Sequence, residues 1–209
     1  MRGLYLVTDR SLCGGRSLEE VVIQAVKGGA SFVQLREKEI STRFFVEEAG
    51  RIKKYLEPYK VPLIINDRVD VAVACGAEGV HIGQEDLSYE IVRKLMGEKA
   101  IIGLSVETWD DVVASQKLNV NYIGISPVFA TPTKTDTKGA WGLEGLARIK
   151  AFSRHPLVAI GGINESNARE VVMAGADCIA VVSAICASSH PEAAARRLNE
   201  IINSSLKEK

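Results

Sequence analysis

Three short apolar runs in this chain each end in charged or amide side chains. The first carries Gln34-Leu35-Arg36-Glu37-Lys38, the second ends in Asn66-Asp67, and the third leads into Gln84-Glu85-Asp86. Short apolar runs bounded by breakers read as buried strands. A helical pattern follows each, so the polar groups sit where strands leave the core, the end at which parallel α/β folds bind ligands. Strand alternation puts Gln34, Arg36 and Lys38 on one side and Leu35 and Glu37 on the other. An inward arginine needs a carboxylate or an anionic ligand to offset its desolvation. Asp67 and Asp86, at consecutive strand ends, offer the hard oxygen ligands that magnesium takes together with substrate phosphates and water. The four charges together suggest a site for magnesium and a diphosphate. Two plainer readings stand beside this one: each aspartate could cap the helix that follows it, and Arg36 could pair internally with an aspartate.

A second anion site is suggested later in the chain. Gly161-Gly162 closes a seventh apolar run and Val182-Ser183 an eighth. Loops after strands seven and eight of a parallel barrel habitually bind phosphate through backbone N–H groups. A tight strand-to-helix turn would use the same glycines. Between the sixth run and its helix lies a long polar segment, residues 129–142, with the profile of a lid. Within it Lys134 could reach an anion, and the hydroxyls of Thr131 and Thr133 could donate to phosphate oxygens. His81 reads better as a packed strand histidine than as a catalyst. His155 precedes Pro156 at a strand entrance and His190 precedes Pro191 at a helix start, so none of the three is assigned chemistry.

These groups need a scaffold that brings strand ends together. Candidate strands span 3–8, 32–36, 62–66, 79–83, 101–106, 122–128, 157–161 and 178–183. Amphipathic stretches lie between and after them at 17–28, 41–57, 68–75, 88–96, 107–118, 143–152, 165–174 and 191–204, with Ser17, Ser41 and Ser166 as candidate caps. Strict alternation implies a parallel sheet with right-handed crossovers, and eight units in 209 residues favour one closed (β/α)8 TIM barrel spanning 1–209. A Gly-Ala pair recurs before the second, fourth and eighth strands, at Gly29-Ala30, Gly76-Ala77 and Gly175-Ala176. An open doubly wound sheet is disfavoured because no G-x-G-x-x-G follows the first strand.

Composition narrows the function classes. The chain is 46% hydrophobic and 25% charged, with 26 basic against 26 acidic residues, so no overall field draws in nucleic acid or an anionic membrane. No apolar run is long enough to span a bilayer, and the N-terminus shows no h-region. A cytoplasmic protein acting on small molecules, with neither nucleic acid nor membrane as partner, is the expectation; a homo-oligomer is left open. Cys13, Cys75, Cys178 and Cys186 form no C-x-x-C pair and no metal spacing with the histidines, so a disulfide framework is not expected.

Taken in order, Tyr5-Leu6-Val7-Thr8-Asp9, Gln34-Leu35-Arg36-Glu37-Lys38, Asn66-Asp67-Arg68, Gly79-Val80-His81-Ile82-Gly83-Gln84-Glu85-Asp86, the segment 124–134 and Ile160-Gly161-Gly162-Ile163 resemble the thiamine-phosphate synthase family. The resemblance implies a transferase of thiamine biosynthesis that joins 4-amino-2-methyl-5-(diphosphooxymethyl)pyrimidine to a (carboxy)thiazole phosphate and releases pyrophosphate. By this similarity Gln34, Arg36, Lys38, Asn66, Ser105 and Lys134 bind the pyrimidine diphosphate, and Asp67 and Asp86 hold Mg2+. Thr131, Thr133, Gly162, Val182 and Ser183 bind the thiazole phosphate. The mechanism it implies is dissociative, with Arg36, Lys38 and Lys134 stabilising charge and no residue acting as nucleophile. Glu107 departs from the pattern, standing where many relatives carry histidine. In the related thiazole tautomerases a histidine in this region takes part in proton transfer. That tautomerase is the rival enzyme, disfavoured by the joint presence of Lys38, Asp67, Asp86 and Lys134. A non-catalytic regulatory barrel binding a phosphate ligand is the rival from another class.

Overall fold

Eight strands form: β1 (Gly3–Val7), β2 (Ala30–Leu35), β3 (Leu63–Asn66), β4 (Gly79–Ile82), β5 (Ile101–Val106), β6 (Tyr122–Ile125), β7 (Leu157–Ala159) and β8 (Cys178–Val181). In the computed structural model, which describes residues 1–131 and 139–209, each strand pairs in parallel with the next. β8 pairs back onto β1, closing the barrel that the alternating pattern predicts.

Around the barrel lie α1 (Leu18–Lys27), α2 (Thr42–Leu56), α3 (Val69–Cys75), α4 (Tyr89–Met96), α5 (Trp109–Ser115), α6 (Gly142–Phe152) and α7 (Ala168–Met173). Two helices follow β8: the short α8 (Ser183–Cys186) and the long α9 (Pro191–Glu208). α9 is the helix expected over 191–204. No helical pattern marks α8 in the sequence, because four residues are too few to display a helical period.

Period-2 alternation divides the buried residues into two layers. Leu4, Leu6, Val33, Leu35, Leu63, Ile65, Val80 and Ile82 point outward into a large core shared with the helices. Tyr5, Val7, Ile64, Tyr122, Val158, Cys178 and Ala180 form a separate inner cluster that fills the barrel. Such a barrel is a packed core rather than a pore, which leaves only its mouth for ligands.

Local signals mostly act as expected. The Ser17 and Ser41 side chains accept from the backbone N–H groups of Glu20 and Phe44 and cap α1 and α2. The recurrent Gly-Ala pairs share a positive φ, at 103° for Gly29, 65° for Gly76 and 134° for Gly175, a backbone that glycine adopts at little cost. Ser166 is a correction: α7 starts after Asn167, and the Ser166 hydroxyl donates instead to Asn164 Oδ1 at 2.6 Å. Competing Asx chemistry in 164–167 shortens that helix. The expected strands over 122–128, 157–161 and 178–183 end earlier, at Ile125, Ala159 and Val181. Beyond Ile125 the chain leaves the ladder to build the mouth: Val128 N–H donates to Ile160 O and Phe129 N–H to Gly161 O.

At the opposite end of the barrel His155 is buried and its Nε2 lies 3.0 Å from Ser115 O, the structural placement expected for a strand entrance. His190 occupies the cap position of α9 ahead of Pro191, without a side-chain cap bond. All four cysteines are free thiols, and Cys13 is buried despite its glycine-rich loop.

Candidate active site

The carboxyl ends of the strands enclose a cavity of about 430 Å³. Gln34, Arg36, Lys38, Asn66, Asp67, Asp86 and Ser105 line one side of it, and Thr131, Gly162, Val182 and Ser183 the other. The barrel therefore brings together every described residue that the sequence reading had singled out. Thr133 and Lys134 lie outside the described residues.

The strand ends explain the charged rim. β2 ends at Leu35, and alternation continues past it, so Arg36 and Lys38 follow Gln34 into the cavity. Glu37 turns the other way and pairs with Arg10 at 3.0 Å, with Glu48 on the same guanidinium at 2.5 Å. Burial pushes the Glu37 carboxyl up, and the Arg10 guanidinium works against that rise. Arg36 lies 3.7 Å from Asp9, a loose ion pair, so the internal-pair alternative is met in part. That contact is longer than a hydrogen bond and leaves the guanidinium on the cavity wall.

Asp67 and Asp86 do not cap helices. The α3 cap position is Arg68 and the α4 cap position is Ser88, neither with a side-chain cap bond. Asp67 has φ 59°, a left-handed backbone uncommon outside glycine. Its N–H donates to His81 O at 2.8 Å, and its Oδ2 accepts from Lys38 Nζ at 2.6 Å. Asp86 Oδ2 accepts from Gly83 N–H at 2.7 Å. Burial and then the neighbouring Asp67 carboxyl raise the Asp86 pKa above the usual carboxylate range. Two adjacent carboxylates, one resisting ionisation through burial and then through the other's charge, form a donor set that a divalent cation would relieve. Among the described residues no group of three or more His, Cys, Asp or Glu side chains is poised around a metal. The pair suits magnesium, which keeps waters and takes phosphate oxygens as its remaining ligands.

On the far side, Gly161 and Gly162 have φ 103° and 66°. A Cβ at Gly162 would come within 2.8 Å of Phe129 Cβ, and one at Gly161 within 2.5 Å of Pro127 Cβ. Their positive φ fits the tight-turn reading, and the close approach of the loop after β6 constrains them as well. The same approach bares their backbone to the cavity beside Val182 and Ser183.

The cavity floor adds Tyr5 and Tyr122, which no charged or amide pattern marks in the sequence. Gln34 Nε2 donates to Tyr5 Oη at 3.0 Å, and Tyr5 Oη lies 3.0 Å from Tyr122 Oη. Tyr122 Oη lies 3.0 Å from His81 Nδ1, and His81 Nε2 lies 2.8 Å from Ser105 Oγ. The His81 and Tyr122 rings stack at 5.5 Å. His81 is thus a packed strand histidine, as expected, but one that also lines the cavity. Burial pushes the Tyr5 and Tyr122 hydroxyls well above the usual phenol range and keeps them protonated. Alternation carried back from Gln34 across the β1–β2 pair, or from Gly124 to Tyr122, would have found both tyrosines. Glu107 lines the same cavity, its N–H donating to Asp111 Oδ2 at 3.0 Å. That carboxylate also closes a capping box with Thr108.

Comparison with known proteins agrees with this architecture. The family model described as thiamine monophosphate synthase matches residues 4–185. Thiamine-phosphate synthase of Albidiferax ferrireducens is 55% identical over 200 residues, covering 96% of this chain and 91% of that protein. The enzyme of the same name from Leptospira biflexa is 54% identical over 198 residues, covering 93% and 94%. Among solved structures, thiamine phosphate pyrophosphorylase from Pyrococcus furiosus superposes with a TM-score of 0.90 at 37% identity, covering 98% of this chain and 96% of that one. The chain belongs to the thiamine monophosphate synthase family and is, with it, a transferase.

Proposed function

We propose that this family member joins an aminopyrimidine methyl diphosphate to a thiazole phosphate by a dissociative, magnesium-assisted route, forming thiamine phosphate and pyrophosphate. The observation that carries the reading is the meeting of Arg36 and Lys38 with Asp67 and Asp86 at one barrel mouth. Asp67 and Asp86 would hold Mg2+, which supplies charge neutralisation for the departing diphosphate. Lys38, paired with Asp67 at the rim, would turn to diphosphate oxygens. Arg36, loosely held by Asp9, does the same. Lys134, outside the described residues, is assigned to the same task.

The carbon–oxygen bond between the pyrimidine methylene and the diphosphate breaks, and its electron pair leaves on the diphosphate. The thiazole nitrogen then supplies the pair that forms the new carbon–nitrogen bond. Gln34, Asn66 and Ser105 hold the pyrimidine. Thr131, Thr133, Gly162, Val182 and Ser183 hold the thiazole phosphate. Holding both partners in attack geometry is a large part of the catalysis, and a cavity rich in ion binders, with no activated nucleophile among the described residues, supports this reading.

The test is pyrophosphate release with both substrates, with and without EDTA. Release that needs both substrates and stops with EDTA is expected. Isomerisation of the thiazole without coupling would give the site to a tautomerase. Phosphate-ligand binding without turnover would make the barrel a regulatory one.

A further inference from the structure

The floor of the cavity is an unbroken chain of hydrogen bonds crossing the barrel, from Gln34 through Tyr5, Tyr122 and His81 to Ser105. Each phenol has one proton to give. Tyr5 Oη accepts from Gln34, and among the described residues its own proton has one acceptor in reach, Tyr122 Oη. Tyr122 must then pass its proton to His81 Nδ1. That nitrogen becomes an acceptor, which places the ring hydrogen on Nε2. Nε2–H donates to Ser105 Oγ, 2.8 Å away. At the two ends, Gln34 is left offering Oε1 and Ser105 its hydroxyl proton.

We propose that this chain is proton-ordered from Gln34 to Ser105, with Tyr5, Tyr122 and His81 as positioning residues. Its ends then select a ligand edge with an N–H donor beside an acceptor ring nitrogen, an aminopyrimidine rather than its oxo counterpart. An oxopyrimidine presents a carbonyl beside a ring N–H and asks for the inverted pair. The inverted pair is reached only if Gln34 turns its amide over and every bond reverses, including the His81 tautomer. Glycine on the neighbouring strands makes room for the chain: a Cβ at Gly103 would fall on the Tyr122 ring, and one at Gly124 would meet His81 Cε1 at 3.0 Å.

Tyr122→Phe and Tyr5→Phe separate this role from simple loss of a buried hydroxyl. In Tyr122→Phe the Tyr5 proton loses its acceptor, so Gln34 turns Oε1 toward it and the cavity gains a donor where it had an acceptor. In Tyr5→Phe, Tyr122 still donates to His81. Nitrogen NMR of the unliganded protein in mildly alkaline buffer, with His81→Gln to identify the signal, should show the Nε2–H tautomer in wild type and Tyr5→Phe and a mixture in Tyr122→Phe. The second readout rests on the proposed function: kcat/KM for the 4-amino pyrimidine diphosphate over its 4-oxo analogue. That ratio should fall about tenfold in Tyr122→Phe, roughly the worth of one hydrogen bond, and less in Tyr5→Phe. An Nδ1–H tautomer in wild type, or equal losses in the two variants, overturns the proposal. Should Tyr122→Phe not fold, the wild-type tautomer still decides. If wild type couples neither pyrimidine, the proposed function fails while the tautomer continues to decide the chain.

Discussion

Lys38 and Asp67, 2.6 Å apart at the cavity rim, hold each other in a pair that a ligand would have to open. Exposed pairs of this kind contribute little to stability, so their removal should be read in function. If Asp67 is a metal ligand, Asp67→Ala lowers turnover by at least about a hundredfold and weakens the magnesium response. Undiminished magnesium-dependent turnover in that variant would remove Asp67 from the metal site. Asp86 adds a stability readout. Its raised pKa means that the fold disfavours its ionised form, so its contribution to stability is complete below the ordinary carboxylate pKa and is lost as pH rises through the raised value. Asp86→Asn removes the charge while keeping an acceptor for Gly83 N–H. In metal-free protein it should raise Tm at neutral pH by about 1–2 °C, a small gain because the group is well solvated, and change nothing in acid. A lower Tm at neutral pH would contradict this.

At the scale of elements, caps and small residues decide how well the site is positioned. Ser17 caps α1 through Glu20 N–H, and Ser17→Ala should cost about 1 kcal/mol, or about 2–4 °C in a thermal melt, with activity unchanged. β5 shows the opposite case. Its Gly103 lies beside Tyr122 in the barrel register, where the phenol ring fills the space of a side chain. Gly103→Ala should displace that ring at a cost of about 1–3 kcal/mol and lower activity as well as Tm. A variant with wild-type Tm and activity would show that the strand can shift to absorb the methyl group. The strands themselves, and the Ser17 and Ser41 caps, were legible because each rests on a pattern a few residues long. α8 and the Asx turn at Asn164 were not, since short segments are shaped by what they pack against.

For the whole molecule, closure of the barrel brings together residues far apart in sequence. α9 packs against α1 and α7 and covers the β1 side of the barrel, with Leu198 fully buried. Leu198→Ala should cost about 2–5 kcal/mol and lower the urea midpoint without changing the slope, as expected for a cavity in a cooperative core. A change in slope would instead show the α9 end unfolding separately. Among the described residues no helix is long and apolar enough to cross a membrane.

Read alone, the sequence determined the barrel, the side of the second strand that faces the cavity, and the charged groups at the strand ends. Alternation of period two and its repeat across eight strands are properties of the chain itself. Only the tertiary structure decided that Arg36 is loosely held by Asp9, that Lys38 grips Asp67, and that neither Asp67 nor Asp86 caps a helix. It alone joined Tyr5, Tyr122 and His81 into one chain, from three strands separated by dozens of residues. The physical reason is that a side chain's direction follows from its own backbone, whereas its hydrogen-bond partners follow from closure, which no local pattern records.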